Sequence, residues 1–164
     1  MFLLFKNILF TVLVPGTVAI YLPLRVVTRL PLALAFDWHA SQIIALLPLL
    51  LGAAIYFCCL WDFAVNGRGT PAPIDAPKRL VVRGLYRYMR NPMYIGVLLV
   101  IIGWAVYLLS WQVLVYGAVV GIGFHCFVVL VEEPVLKSKF GEGYLRYCKE
   151  VGRWLPRWWR RGAT

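Results

Sequence analysis

The sequence predicts an all-α integral membrane protein with about four transmembrane helices and a cytoplasmic C-terminal amphipathic helix. Of its 164 residues, 62% are hydrophobic and only 15% are charged, whereas soluble domains are about 45–50% apolar and about 25% charged. A water-soluble fold of this length could not bury so much apolar surface, so lipid must solvate part of it. The length suits a single membrane domain over residues 1–164.

Four apolar runs underlie this prediction, at residues 1–24, 43–61, 93–109 and 113–131. Each approaches the ~20 residues that a helix needs to cross ~30 Å of hydrocarbon. Arg25 and Arg29 follow the first run where a signal peptide would have a small-residue cleavage site, so we interpret that run as a span. The apolar stretch 30–36 is too short to span, and we expect it at the interface or under its neighbours.

Lysine and arginine are concentrated in two segments. Of the 17 basic residues, six lie in residues 62–91 and eight in the tail after Val131. With four spans these segments lie on the same side of the membrane, which the positive-inside rule makes cytoplasmic. We therefore expect a multi-pass protein with both termini in the cytoplasm, and a bacterial inner membrane as its location.

The net charge of +10 does not indicate a nucleic-acid partner. Basic residues beside spans are explained by orientation and by anionic headgroups, and the Arg–Trp tail 153–161 has the composition of an interfacial anchor. No cysteine or histidine spacing is typical of a metal site, so no metal is expected. His125 lies inside an apolar run, where we expect it to hydrogen-bond to a neighbour. The oligomeric state stays open.

Residues 62–92 and 132–164 hold the polar groups that we expect to form a cofactor site. The Gly/Pro-rich stretch 66–78 is either a plain connector or a lid, since it is long for so compact a protein. Asn91 and Pro92 occupy the N-cap and first-turn positions of the third span. Backbone donors at that helix start could meet an anionic group such as a carboxylate. A capped helix with an interfacial anchor is the simpler alternative.

Two adjacent acids, Glu132 and Glu133, follow the fourth apolar run. They lie at the predicted end of a helix, where the dipole disfavours negative charge. Ionisable groups at this depth are costly and indicate function or a partner, and the basic residues of 62–92 are the obvious partners. Solvation at the interface is the alternative. The short turn 110–112 makes the third and fourth spans antiparallel neighbours, so Asn91 and Glu132 should be close in space.

These segments together resemble the membrane methyltransferases, a superfamily that includes the isoprenylcysteine carboxyl methyltransferases and the phosphatidylethanolamine N-methyltransferases. The resemblance lies in the order and spacing of residues over roughly 66–156. The matching residues are Gly84, Tyr86, Arg90, Asn91, Pro92, Tyr94, Gly96, Glu132, Glu133, Phe140, Gly141, Tyr144, Tyr147, Arg153 and Pro156. The resemblance implies S-adenosylmethionine as the methyl donor, held in a cytoplasm-facing pocket, and a lipid-like acceptor that enters from the bilayer.

The resemblance also implies roles for individual residues. Glu132, Glu133 and Arg90 would be catalytic. The residues implied for cofactor binding are Asn91, Tyr94, Tyr86, Gly103, Glu133, Tyr144, Tyr147 and Arg153. Methyl transfer depends on proximity and orientation in a water-poor site, and an amine acceptor would also have to lose a proton, which Glu132 or Glu133 could take.

Two departures bear on the acceptor. The carboxyl methyltransferases usually have His where this chain has Asn91, and Arg where it has Val128. Both departures weaken the resemblance to the prenylcysteine enzymes and favour the phospholipid enzymes, whereas the Gly/Pro-rich stretch 66–78 looks more like that of bacterial relatives of the carboxyl methyltransferases. The acceptor atom therefore stays open between an amine nitrogen and a carboxylate oxygen. Two other functions remain as alternatives: a membrane NADPH-dependent oxidoreductase of the sterol-reductase type, and a non-enzymatic membrane scaffold. The scaffold alternative is disfavoured because Glu132 and Glu133 are predicted to face many basic residues at the same depth in the membrane.

Overall fold

The computed structural model describes residues 9, 11–27, 40–67 and 80–156 as an all-α chain. The chain begins with a π-helical stretch, Val12–Tyr21, that continues as α1 (Leu22–Val27), and α2 (Ala40–Asp62) follows and ends in a π-helical turn, Phe63–Gly67. A 3₁₀ turn, Gly84–Arg87, precedes α3 (Pro92–Tyr107) and α4 (Trp111–Phe127). A π-helical turn, Val128–Glu132, then leads into α5 (Glu133–Glu150). Among these described residues there is no strand beyond an isolated parallel bridge between Met89 and Gly152. The all-α prediction is confirmed.

Three sequence features lie outside the described residues. They are the apolar stretch 30–36, most of the Gly/Pro-rich stretch 66–78, and the part of the Arg–Trp tail beyond Pro156. The expectations for these segments therefore stay predictions.

Two helices are long and apolar enough to cross a membrane, one over Ala40–Val65 and one that begins at Trp111. The apolar part of the second ends at Val131, and from Glu132 onward charged side chains recur every few residues. Two further apolar helices, Val12–Arg25 and Pro92–Tyr107, are shorter. The 16 residues of α3 extend about 24 Å, less than the ~30 Å of a hydrocarbon core. Two possible spans are thus established, and four crossings stay a prediction.

Helices α2 and α3 pack closely because glycines face each other where they cross. A Cβ added at Gly52 would lie 2.6 Å from the carbonyl oxygen of Gly96 and 2.9 Å from the backbone nitrogen of Val100. Only the absence of a side chain permits the two backbones to approach this far. The contact fixes α3, and with it the residues that precede its first turn.

The predicted hairpin of α3 and α4 is confirmed. Ser110 caps α4, its hydroxyl accepting a hydrogen bond from the backbone N–H of Val113 at 3.4 Å, as serine does at helix starts. Ile101 on α3 and Val113 on α4 are fully buried. The first turn of α3 and the last turns of α4 consequently lie at the same end of the molecule.

The prediction that the acidic pair ends a helix is wrong. Helix α4 continues through the π-helical turn Val128–Glu132 directly into α5. The wider turn accommodates Pro134, which lacks an N–H and would clash with a carbonyl one regular turn earlier. Helix α5 itself bends at Gly141, whose φ of 52° and ψ of −130° are non-helical and favour glycine.

Replacing Gly52 by Val should destabilise the protein by about 1–3 kcal/mol, because the added side chain forces α2 away from α3. Thermal unfolding in detergent, followed by circular dichroism, measures the change. Gly123→Val is the matched control, since a Cβ at Gly123 meets no atom within 4 Å. Equal unfolding temperatures for the two variants would contradict the close packing.

Candidate active site

A buried ion-pair network joins three distant parts of the chain. Arg90, two residues before α3, contacts Glu133 at the start of α5, with 3.0 Å between Nη1 and Oε1. Arg153, just after α5, donates to both oxygens of the same carboxylate, at 2.7 Å from Nε and 3.1 Å from Nη2. The side chains of Arg90 and Glu133 are 10% and 8% exposed, and that of Arg153 is 33% exposed.

The network keeps Glu133 charged. Burial alone would raise the pKa of its carboxyl, but the hydrogen bonds from Arg153 and the charges of Arg90 and Arg153 outweigh burial, and the pKa is lowered. The hydrogen bond to Glu133 in turn raises the pKa of Arg153. A carboxylate between two guanidinium groups, one of them bidentate, is among the stronger arrangements of charge-assisted hydrogen bonds.

Backbone contacts hold the segment after α5 against the start of α3. The N–H of Arg90 donates to the carbonyl of Gly152 at 2.8 Å, beside the bridge between Met89 and Gly152. Asn91 lies at the N-cap position of α3, but its side chain makes no capping hydrogen bond. Its Nδ2 instead donates to the carbonyl of Arg153 at 3.1 Å. We call residues 151–155 the C-terminal strap.

Glu132 has different surroundings from Glu133. The hydroxyl of Tyr94 donates to its Oε2 at 2.9 Å, and the Tyr94 ring lies 4.7 Å from that of Phe124 and 6.3 Å from that of Trp154. Burial raises the pKa of Glu132, the hydrogen bond from Tyr94 opposes this, and the charge of Glu133 raises it further, so that the net pKa is raised. Environments that separate the pKa values of paired acids are typical of acid–base sites.

The C-terminal strap separates two kinds of surface. Arg153 extends to Glu133, whereas the indole N–H of Trp154 donates to Nδ1 of His125 at 3.1 Å. The expected hydrogen bond of His125 to a neighbour is therefore confirmed. One side of the strap is charged and the other is aromatic and apolar.

The charged side opens into a cavity of about 590 Å³, which is within the ~300–1,000 Å³ of small-molecule sites. Its lining residues are Arg90, Glu133, Lys137, Glu142, Leu145, Cys148, Lys149 and Arg153. The Nε of Arg90 is buried and has no hydrogen-bond partner among the described residues, and such a buried donor is costly unless something satisfies it.

The structure brings together Arg90, Glu133 and Arg153, and it joins Tyr94 to Glu132, so the expected proximity of the start of the third span and the acidic pair is confirmed. Arg90 Nη1 also donates to the Cys148 sulfur at 2.8 Å. In the part of the chain described, no group of three or more His, Cys, Asp or Glu side chains could hold a metal ion.

Four residues expected at the cofactor site lie behind it or away from it. Tyr144 and Tyr147 pack in a small core, and the hydroxyl of Tyr147 donates to the carbonyl of Tyr86 at 2.7 Å. Gly103 packs against Leu49 of α2. None of these four lines the charged cavity, and neither do Asn91 and Tyr94, so the geometry gives the predicted cofactor contacts of these six residues no support.

Sequence reasoning missed the residues that the strap and α5 add to the site. Lys137 stands four residues after Glu133, one helical turn along α5. Lys149 and Cys148 reach the site because α5 bends at Gly141, and Trp154 reaches it because it lies in the strap. The helical spacing could have indicated Lys137, whereas the other positions depend on the path of the chain after the bend.

Comparison with known proteins identifies the family. The chain matches the phospholipid methyltransferase family over residues 40–143, more than half of its length. The chain therefore belongs to the phospholipid methyltransferase family, a family of membrane methyltransferases, as the order and spacing of its motifs indicated.

A relative in Haemophilus influenzae, described as an uncharacterized protein, is 37% identical over 67 residues, which are 38% of this chain and 100% of that protein. No solved structure matches the chain.

Replacing Glu133 by Gln should lower the free energy of unfolding by about 3 kcal/mol, because it leaves the buried Arg90 without a counter-charge. Chemical or thermal unfolding of the purified protein measures the loss. Glu150→Gln, at an exposed position of the same helix, should change stability by less than about 0.5 kcal/mol.

The acid dependence of stability offers a second measurement on these variants. The folded-state pKa of Glu133 lies below its ordinary value of 4.5, so the unfolded chain takes up the proton first as the pH falls. The stabilisation is complete above this ordinary value and is lost as the pH falls through the folded pKa. Glu133→Gln should lack this part of the acid dependence, and identical profiles for both variants would contradict the ion pair.

Proposed function

We propose that this protein transfers a methyl group from S-adenosylmethionine to a lipid-like, hydrophobic acceptor at the cytoplasmic boundary of the membrane. Family membership supports the reaction class, and the charged cavity around Glu133 is the observation that supports S-adenosylmethionine as the cofactor. The site would be formed by the segment before α3 and the segment after α4. The excess of basic residues in these segments supports a cytoplasmic site and cytoplasmic termini, as in a bacterial inner membrane.

The donor and acceptor groups of the cavity fit S-adenosylmethionine. The cofactor has a carboxylate, an ammonium, a sulfonium and ribose hydroxyls. The unpartnered Nε of Arg90, with the guanidinium of Arg153, suits the carboxylate, and Glu133 suits the ammonium or the ribose hydroxyls. When bound, the cofactor supplies an electrophilic methyl group.

The contribution of this chain would be binding, orientation and the exclusion of water. Arg90, Glu133 and Arg153 already hold one another in place, so little ordering would be required when a ligand binds. Asn91 fixes the backbone of the strap through the carbonyl of Arg153. The Tyr94, Phe124 and Trp154 rings exclude water from the neighbourhood of Glu132.

Glu132 is suited to accept a proton. An amine acceptor arrives as an ammonium and must lose a proton before it attacks. Glu132 has a raised pKa, and its hydrogen-bond partner Tyr94 is neutral, so it is a better base than Glu133. A carboxylate acceptor would need no base and would meet the negative charge of Glu132. These observations favour an amine nitrogen over a carboxylate oxygen.

The family match favours neither a membrane reductase nor a scaffold.

Isothermal titration in detergent should detect S-adenosylmethionine binding to the wild-type protein. Arg153→Met should weaken it about ten- to a hundredfold, the effect of losing a hydrogen bond to a charged group. Glu150→Gln, outside the cavity, should bind as the wild type does. Folded wild-type protein that binds no S-adenosylmethionine would refute the proposed function.

Replacing Glu132 by Gln should reduce methyl transfer to phosphatidylethanolamine in nanodiscs about a hundredfold, since a general base contributes roughly 10²–10⁴. Cofactor affinity, measured by titration, should stay within about twofold of the wild type because Glu132 does not line the charged cavity. If Glu132→Gln lost cofactor affinity in proportion to its activity, the separate role of Glu132 would be wrong.

A further inference from the structure

An apolar groove runs between α3 and α4 on the other side of the strap. It consists of two adjoining cavities, of about 370 Å³ and about 300 Å³, which share Leu98, Ala118 and Gly121. The remaining lining is almost entirely apolar. It consists of Ile101, Ile102, Val113, Leu114, Gly117 and Ile122, with His125 and Trp154 at one end.

Small residues on α4 create the groove. A Cβ added at Gly117 would lie 3.0 Å from Ile101, so the two helices are close there, whereas one added at Gly121 would reach Leu98 only at 3.7 Å. Ala118 adds just a methyl group. The side chains of Ile102, Leu114 and Ile122 are 40%, 55% and 66% exposed. An apolar groove this accessible, on helices of a membrane protein, meets hydrocarbon and not water.

The groove has the length of one leaflet. From residue 114 to residue 125, α4 extends about 16 Å, which is about half of the ~30 Å hydrocarbon core. Its polar end, at His125 and Trp154, is on the same side as Glu132. A chain lying in the groove would therefore come from the leaflet nearest the proposed active site.

Trp154 connects the groove to the site. Its indole lines the groove, donates to Nδ1 of His125, and lies 6.3 Å from the Tyr94 ring. The hydroxyl of Tyr94 donates to Glu132. The apolar groove is thus continuous, through two aromatic side chains, with the carboxylate proposed to take the proton of the acceptor.

We infer that the groove between α3 and α4 holds the hydrocarbon tail of the methyl acceptor and that Ala118 and Gly121 set the tail length accepted. This inference rests on the proposed function and names the part of the substrate that the chain recognises. The tail lies along α4 with its head at Trp154, which positions the reacting group beside Tyr94 and Glu132. Binding energy from the tail then serves to orient the head.

The chain offers a matched pair of variants. Ala118 lines both cavities, whereas its neighbour Val119 lines neither and is 62% exposed. Ala118→Phe fills the groove, and Val119→Phe adds the same side chain on a different face. Gly121→Val is a second groove-filling variant, for use if Ala118→Phe does not fold.

The experiment measures kcat/KM of the full-length protein for acceptors that differ only in tail length. The probes are lysophosphatidylethanolamines with hexanoyl or palmitoyl tails, and S-hexyl and S-hexadecyl N-acetylcysteine for the carboxylate case. Titration with S-adenosylmethionine, run on every variant, reports folding and cofactor binding independently of the acceptor.

We expect the wild type and Val119→Phe to prefer the acceptor with the long tail. Ala118→Phe should lower kcat/KM for the long-tail acceptor at least about tenfold, because roughly two methylene groups lose their apolar contact. Cofactor affinity should be unchanged, and kcat/KM for the short tail should fall by a smaller factor than kcat/KM for the long tail. If Ala118→Phe and Val119→Phe changed kcat/KM for the long tail equally, or if neither changed it, the groove would hold only bulk lipid. That result would overturn the inference but not the proposed methyltransferase function. A folded wild type without cofactor binding would remove both.

Discussion

The carboxylate of Glu133 is the group on which the arrangement of this end of the molecule depends. A charge this well buried is tolerated only with counter-charges at hydrogen-bonding distance, and Arg90 and Arg153 supply them from positions 43 and 20 residues away. Satisfying that one group requires the segment before α3 and the strap after α5 to meet at the start of α5. Asn91 and the contact between Arg90 and Gly152 then hold the strap at the place that the ion pairs select.

The strap also explains how two adjacent acids have unlike chemistry. Glu133 faces arginines and a charged cavity, whereas Glu132 faces a tyrosine hydroxyl and aromatic rings. The side chains of neighbouring residues on a helix point about 100° apart, so Glu132 and Glu133 can face different surroundings.

The sequence predicted the all-α class, the α3–α4 hairpin and the pairing of the two acids with basic residues of 62–92, because these follow from hydrophobicity, a three-residue turn and the need to neutralise buried charge. It did not predict that Tyr86, Tyr144 and Tyr147 pack behind the cavity, since a motif gives a position in the chain and not the direction of a side chain. Trp154 and the groove were missed for a related reason. Both depend on where the chain goes after the bend at Gly141, which no local pattern determines.

The π-helical turn Val128–Glu132 has a consequence for how this protein can change through insertion and deletion. Such a turn takes up one more residue than a regular helical turn, so it sets the angular phase of everything that follows. Removing one residue from it would rotate both acids by about 100° and point Glu133 away from its arginines, although every side chain of the site was still present. At this point of the chain, the number of residues matters more than which apolar residues they are.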